Sequence, residues 1–137
     1  MVEGSCLCGA VRFTVNGPLR PVVACHCVQC RKTSGHYVAA TSAKRADLTV
    51  HGPVAWYPSS PSARRGFCPT CGSSLFWEED GTDQTSIHAG TLDAPTGLTL
   101  AGHIFTADKG DYYEISDDLP QAVQDDPVLT TKAKGSE

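Results

Sequence analysis

Two short stretches decide how this chain folds: Cys6-Leu7-Cys8-Gly9 near its start and Cys68-Pro69-Thr70-Cys71-Gly72 near its middle. In an extended segment, residues two apart face the same side, so Cys6 and Cys8 can both reach one ion. In Cys-x-x-Cys the chain turns back and brings two sulfurs together. A glycine follows each pair directly, and glycine accepts the positive φ that closes such a turn and aims backbone N–H groups at thiolates. Two chelating pairs make four thiolates, the closed tetrahedral set of a structural zinc. An ion held this way ties residue 6 to residue 71, and its binding is worth roughly ten kcal/mol or more, comparable with the stability of a whole domain. Buried free thiols are the alternative, and they leave the repeated chelate spacing unexplained.

The other three cysteines crowd into Cys25-His26-Cys27-Val28-Gln29-Cys30. Cys27 and Cys30 again form a chelate, and Cys25 shares a face with Cys27 if the segment is extended, with His26 pointing away. No cysteine remains to complete the set. Three protein ligands with an exchangeable fourth position mark a catalytic zinc. Three thiolates on a doubly charged ion leave a net charge of about -1 by simple addition, which weakens the metal as a Lewis acid. Such a site suits capture of a substrate thiol as the fourth ligand. Nearby cations would offset the added charge: Arg31 and Lys32 follow at once, and Arg64 and Arg65 precede Cys68. The same side chains can bind carboxylates of an anionic ligand, or form a solvated basic face. Two other readings of the triplet stand beside this one. A second closed zinc would be completed by His26 or by a distant His36, His51, His88 or His103. A redox pair would use Cys27 and Cys30.

The 137 residues fit one domain, read as 1–124 followed by a polar tail over 125–137 that frays. Apolar residues make up 40% and charged residues 19%, a globular balance. A net charge of -4 and a pI near 5.7 argue against a nucleic-acid partner, which needs a basic footprint, and against a polybasic membrane anchor. No apolar run is long enough to span a bilayer. The first residues, MVEGSCLCGA, carry an acidic group and no apolar h-region, so the expected location is the cytoplasm. Thiols are kept reduced there, and clustered cysteines then read as metal ligands or catalytic groups; seven, an odd count, cannot all form internal disulfides.

The chain reads as mostly β, with Gly 13 and Pro 9 supplying turns. Strand patterns run over Ala10–Val15, Val22–Ala24, Tyr37–Thr41, Leu48–Val50, Val54–Tyr57, Ser74–Trp77, Thr85–Ala89 and His103–Thr106. Apolar residues never recur at helical spacing over a usual helix length. Single helical turns are expected at Ala43–Asp47 and at Leu119–Val123, and Ser59-Ser60-Pro61-Ser62 reads as a loop.

Taken together, Gly4-Ser5-Cys6-Leu7-Cys8-Gly9-Ala10-Val11, Cys25-His26-Cys27-x-x-Cys30-Arg31-Lys32-x-Ser34-Gly35 and Phe67-Cys68-x-x-Cys71-Gly72-Ser73-x-Leu75-Phe76 resemble the glutathione-dependent formaldehyde-activating (GFA) family, whose domain is also called CENP-V/GFA. Gly90-Thr91-Leu92-Asp93, His103-Ile104-Phe105 and Asp117-Asp118-Leu119-Pro120 are similar to its later landmarks. The resemblance implies an Mss4-like fold of small antiparallel sheets around zinc. It implies two zinc ions, a structural one on Cys6, Cys8, Cys68 and Cys71 and a catalytic one on Cys25, Cys27 and Cys30. It implies a carbon–sulfur lyase that joins a small thiol such as glutathione to a small aldehyde such as formaldehyde, or reverses this. Arg31, Lys32 and Ser34 are then the expected substrate contacts, and His26 and His36 the expected proton carriers. The rival reading is a non-catalytic zinc-stabilised module that binds a protein partner, as Mss4 does, through aromatics such as Trp56, Tyr57 and Trp77. The methionine sulfoxide reductase B architecture is also similar, but it needs a redox cysteine late in the chain, and none follows Cys71.

Overall fold

The computed structural model describes residues 1–131. The expected mostly-β fold is present, as ten strands in two sheets. A three-stranded antiparallel sheet has the order β1 (Val2–Ser5), β2 (Arg12–Val15), β5 (Leu48–His51). A seven-stranded sheet has the order β10 (Leu100–Ile104), β3 (Val22–Cys25), β4 (Val38–Lys44), β9 (Gln84–His88), β8 (Ser74–Glu79), β7 (Ala63–Phe67), β6 (Ala55–Ser60). Its pairs are antiparallel except β3 with β10, which run parallel at the edge. That parallel pairing needs a long crossover, and the chain supplies one through the five other strands of the same sheet.

The seven-stranded sheet has two unlike faces because side chains alternate along each strand. One face carries Ala43, Phe76 and Ile87, which bury with Phe13 and Val15 of the small sheet and Val11 just before it to form the main core. Phe13 meets Phe76 edge-on, with ring centroids 5.3 Å apart. Gly4 is required here: a Cβ on it would lie 2.4 Å from the Phe13 ring. The opposite face carries the alternate residues and is left open to a cavity described below.

Several local expectations change. Residues Val28–Ser34 form a helix, α1, where the sequence showed no apolar residues at helical spacing. Seven residues are too few to show a period; the caps make the helix. Cys27 is the N-cap and its Sγ accepts from the Cys30 N–H, while the Gly35 N–H closes the last turn on the Arg31 carbonyl. Strand β7, rich in arginine, is formed by pairing between β6 and β8, which overrides its weak propensity. Arg45–Asp47 makes the expected single turn, but Ala43 and Lys44 belong to β4. Leu119–Val123 forms no helical turn: the His103 N–H donates to the Pro120 carbonyl and the Ala122 N–H to the His103 carbonyl, so the segment lies along β10. Nor does the start of the expected tail fray. Pro127–Thr130 form a short helix, α2, capped by Asp126, and Leu129 buries against Val23 and Ile104. The rest of that tail, 132–137, lies outside the described residues. Among the described residues no helix is long and apolar enough to cross a membrane.

Candidate active site

The four sulfurs of Cys6, Cys8, Cys68 and Cys71 lie within 4.8 Å of one another. Tetrahedral thiolates at the usual metal–sulfur distance of about 2.3 Å stand about 3.8 Å apart. Cys6 to Cys8 is 3.7 Å and Cys8 to Cys68 is 3.8 Å, so this donor set fits the ion the spacing predicted. Gly9 and Gly72 have φ of 84° and 80°, the left-handed conformation that returns each chelating turn. Backbone N–H groups of Val11, Thr70 and Cys71 reach the sulfurs of Cys6 and Cys68 at 3.3–3.5 Å. The Ser73 hydroxyl binds the Cys71 sulfur at 3.1 Å and also accepts from the Leu7 N–H at 3.0 Å, which links the two turns. Hydrogen bonds from the hydroxyl and amide of Ser73 pull the Cys71 thiol down to about 5. The set is closed and bridges the two sheets.

Cys25, Cys27 and Cys30 form the second sulfur cluster, again within 4.8 Å. Cys25 ends β3, Cys27 caps α1 and Cys30 sits in the first turn of the helix, so a strand-to-helix corner replaces the simple extended segment. Hydrogen bonds from Cys25 and Cys30 hold the Cys27 thiol far below its usual range, while the same contacts and burial push Cys25 up. Among the described residues no histidine or carboxylate joins the three within that reach. His26 points away as expected. It is fully buried, bonded to the Tyr113 hydroxyl through Nδ1 and to His103 Nδ1 through Nε2 at 2.9 Å, and His103 in turn meets Asp117 at 2.9 Å. Burial pushes His26 down to about 4.

The triplet opens into a cavity of about 570 Å³ whose floor is the free face of the seven-stranded sheet. The lining follows cross-strand register. Cys25 is paired with Val38, then Val23 with Ala40 and His88, then Ser42 with Ser86, Trp77 and Arg65, then Gln84, Glu79 and Ala63. Arg65 Nη2 lies 3.2 Å from Gln29 Oε1 and 3.9 Å from the Cys30 sulfur, and its Nε is buried without a partner among the described residues. Burial and the Arg65 charge push His88 down to about 4, so it is neutral at physiological pH. Arg20, just ahead of β3, lines the opposite end.

Of the contacts expected from the sequence, Arg65 reaches the cavity; Arg31, Lys32 and Ser34 do not line it. Arg31 donates to the Asp108 carbonyl, Lys32 is exposed, and the Ser34 hydroxyl bonds the carbonyls of Cys30 and His36 at the helix end. The helical course of residues 28–34 turns these side chains away. Arg64 lies over the Trp56 ring and pairs with Glu78. His36 bonds the Tyr112 hydroxyl outside the cavity. Arg20, Gln29 and His88 were not singled out as contacts. The signal for His88 was present, since Gln84, Ser86 and His88 alternate along one strand.

The sequence model of the glutathione-dependent formaldehyde-activating enzyme family matches residues 1–108, which include both sulfur clusters and all ten strands. The chain belongs to the GFA family. A GFA relative from Halomonas elongata, provisionally named a glutathione-dependent formaldehyde-activating enzyme, is 35% identical over 129 residues, 84% of this chain and 81% of its own. An uncharacterized lyase of Schizosaccharomyces pombe is 28% identical over 116 residues, 83% of this chain and 85% of its own. Among solved structures, a protein of Rhodobacter sphaeroides superposes with a TM-score of 0.58 at 25% identity, over 72% of this chain and 97% of that one. The GFA match ends before α2, so Thr130 and Thr131 complete the cavity from outside the matched region.

Proposed function

We propose that the protein is a zinc-dependent carbon–sulfur lyase of the GFA type, which adds a small thiol such as glutathione to a small aldehyde such as formaldehyde, or reverses that addition. Cys6, Cys8, Cys68 and Cys71 would hold the structural ion, and Cys25, Cys27 and Cys30 the catalytic one. The observation that carries this reading is the three-sulfur cluster at the wall of an open cavity, with the Arg65 guanidinium alongside. When bound there, zinc supplies the positive charge that keeps a thiol deprotonated near neutral pH.

The chain's own residues supply the rest. In the forward direction the substrate thiol gives up its proton, its sulfur forms a bond to the carbonyl carbon, the π pair moves to oxygen, and that oxygen takes up one proton in balance with the one the thiol released. Arg65 stands beside the cluster with an unspent N–H, suited to hold the oxygen as charge gathers on it. Gln29 fixes the guanidinium through a 3.2 Å hydrogen bond. Neutral His88 offers a hydrogen-bonding group on the cavity floor without adding charge. Val23, Val38, Ala40 and Ile104 make an apolar wall beside the sulfurs, which strengthens these electrostatic contacts. His26 and His36 lie off the cavity, so they do not fit the proton-carrier role. The name of the family and those of two relatives support this reading, pointing to a lyase or a glutathione- and formaldehyde-related activity.

The test is aldehyde consumption that depends on added thiol, measured for the wild type and for Cys27→Ser. Activity in the wild type and its loss in the variant support the reading. Equal background rates in both would remove the chemistry and leave a metal-stabilised binding module.

A further inference from the structure

Arg20 presents an unusual arrangement for a cation. Its side chain is buried, with the residue only 6% exposed. Buried charges are normally paired, yet among the described residues no carboxylate comes within 4.0 Å of its guanidinium. The group rests on three carbonyls instead: Nε donates to Pro21, Nη1 to Thr130 and Nη2 to Ala40, at 3.3, 3.1 and 2.9 Å. A guanidinium has five N–H donors, so two remain. Asp125 also lines the cavity, and its charge favours the guanidinium from beyond ion-pair distance while the carboxylate itself stays exposed.

The register locates this charge. Ala40 is opposite Val23, and Val38 is opposite Cys25. The guanidinium held by the Ala40 carbonyl is therefore two residues along the sheet, ~7 Å, from the level of the sulfur cluster. Arg65 stands on the cavity's other side, next to Cys30.

We propose that Arg20 is a specificity-determining residue that binds a carboxylate of the substrate thiol, so that the cavity selects thiols carrying a carboxylate several bonds from the sulfur. This rests on the thiol-binding reading above and deepens it. A carboxylate entering the cavity supplies the direct contact that Asp125 does not make, and a two-pronged guanidinium contact of this kind is strong. The three carbonyls fix the fork, so little side-chain entropy is lost on binding. A neutral thiol of the same size fills the space but leaves those two N–H groups without a carboxylate.

Calorimetric binding of glutathione and of glutathione diethyl ester tests this, because the ester keeps the thiol and loses both carboxylate charges. The wild type is expected to favour glutathione by about tenfold or more. Arg20→Gln should abolish the preference while keeping affinity for the ester, Arg20→Lys should retain part of it, and Arg65→Gln should keep it. A wild type without preference, a preference that survives Arg20→Gln, or one lost only with Arg65→Gln overturns the role of Arg20 and leaves thiol binding intact. Failure of the wild type to bind either ligand removes the thiol reading itself, and the anchor with it. Should Arg20→Gln not fold by circular dichroism, side-chain 15N spectra of the wild type decide instead. The Arg20 resonances should move with glutathione and not with the ester; resonances unmoved by glutathione overturn the proposal.

Discussion

Arg64 and Arg65 are neighbours in sequence with opposite surroundings. Alternation along β7 sends Arg64 to Glu78 and the Trp56 ring, and Arg65 into the cavity beside Cys30. Their substitution should therefore differ sharply. Arg65→Gln is expected to lower kcat on the order of a hundredfold, the usual cost of removing one donor to a developing oxyanion. Arg64→Gln should stay near wild type, since exposed ion pairs contribute little. Steady-state rates of both variants check this, and equal losses would mean that Arg65 acts only through folding. His88 gives a pH signature. An unfolded histidine takes its proton near pH 6.5, but this one only near about 4, because burial and Arg65 oppose the charge. Between those values the unfolded state binds more protons, so stability falls as pH drops from about 6.5 towards 4. Thermal midpoints at pH 7.5 and 5.5 should fall further for the wild type than for His88→Gln. The reverse order would show that His88 is protonated in the folded protein.

Elements differ in how far they could be read from the sequence. Strands β3, β4, β8 and β9 were legible because branched and aromatic residues mark them. The chelating turns were legible because their cysteine and glycine spacing has one economical explanation. Helix α1 was not, since a cysteine cap and a glycine stop, rather than a periodic apolar face, define it. That single miss displaced the expected substrate contacts: residues 31, 32 and 34 looked adjacent to the sulfurs, while the helical course carries them off. The cavity floor was hidden for another reason. Its members, Ser42, Ser86, Trp77 and Arg65, share a row only through pairing among four strands. Helix α2 was hidden by its polar flanks, with Leu129 its sole deeply buried contact. Leu129→Ala should cost about 2 kcal/mol, the low end for a buried leucine. A denaturant midpoint unchanged from wild type would mean that α2 does not dock. At the other cluster, Gly72→Ala meets no steric obstacle, since nothing lies within 4 Å of a Cβ there. It should still cost about 1–2 kcal/mol for the left-handed backbone. Metal retention under chelator competition should weaken with it.

At the scale of the molecule, the two sulfur clusters have unequal structural duties. The closed set joins Cys6 and Cys8, beside the small sheet, to Cys68 and Cys71 at the β7–β8 turn. The triplet lies within the corner between β3 and α1. Metal analysis of the purified protein should give two zinc ions per chain. A graded chelator should remove one ion early with circular dichroism unchanged, and the second only together with unfolding. Simultaneous release of both, or unfolding with the first, would contradict this division of roles. Cys27→Ser should lose the early ion only, and Cys71→Ser should lose the fold.

Because the closed set draws its halves from residues 6–8 and 68–71, synthesis exposes a rival arrangement first. Cys27 and Cys30 leave the ribosome some forty residues ahead of Cys68, and with Cys6 and Cys8 they already amount to four thiolates. A nascent chain that meets free zinc at that moment can cross-wire its own N-terminus to the wrong corner, and maturation then waits on ligand exchange. Refolding into excess zinc should accordingly be slower, and give less active protein, than refolding followed by metal addition.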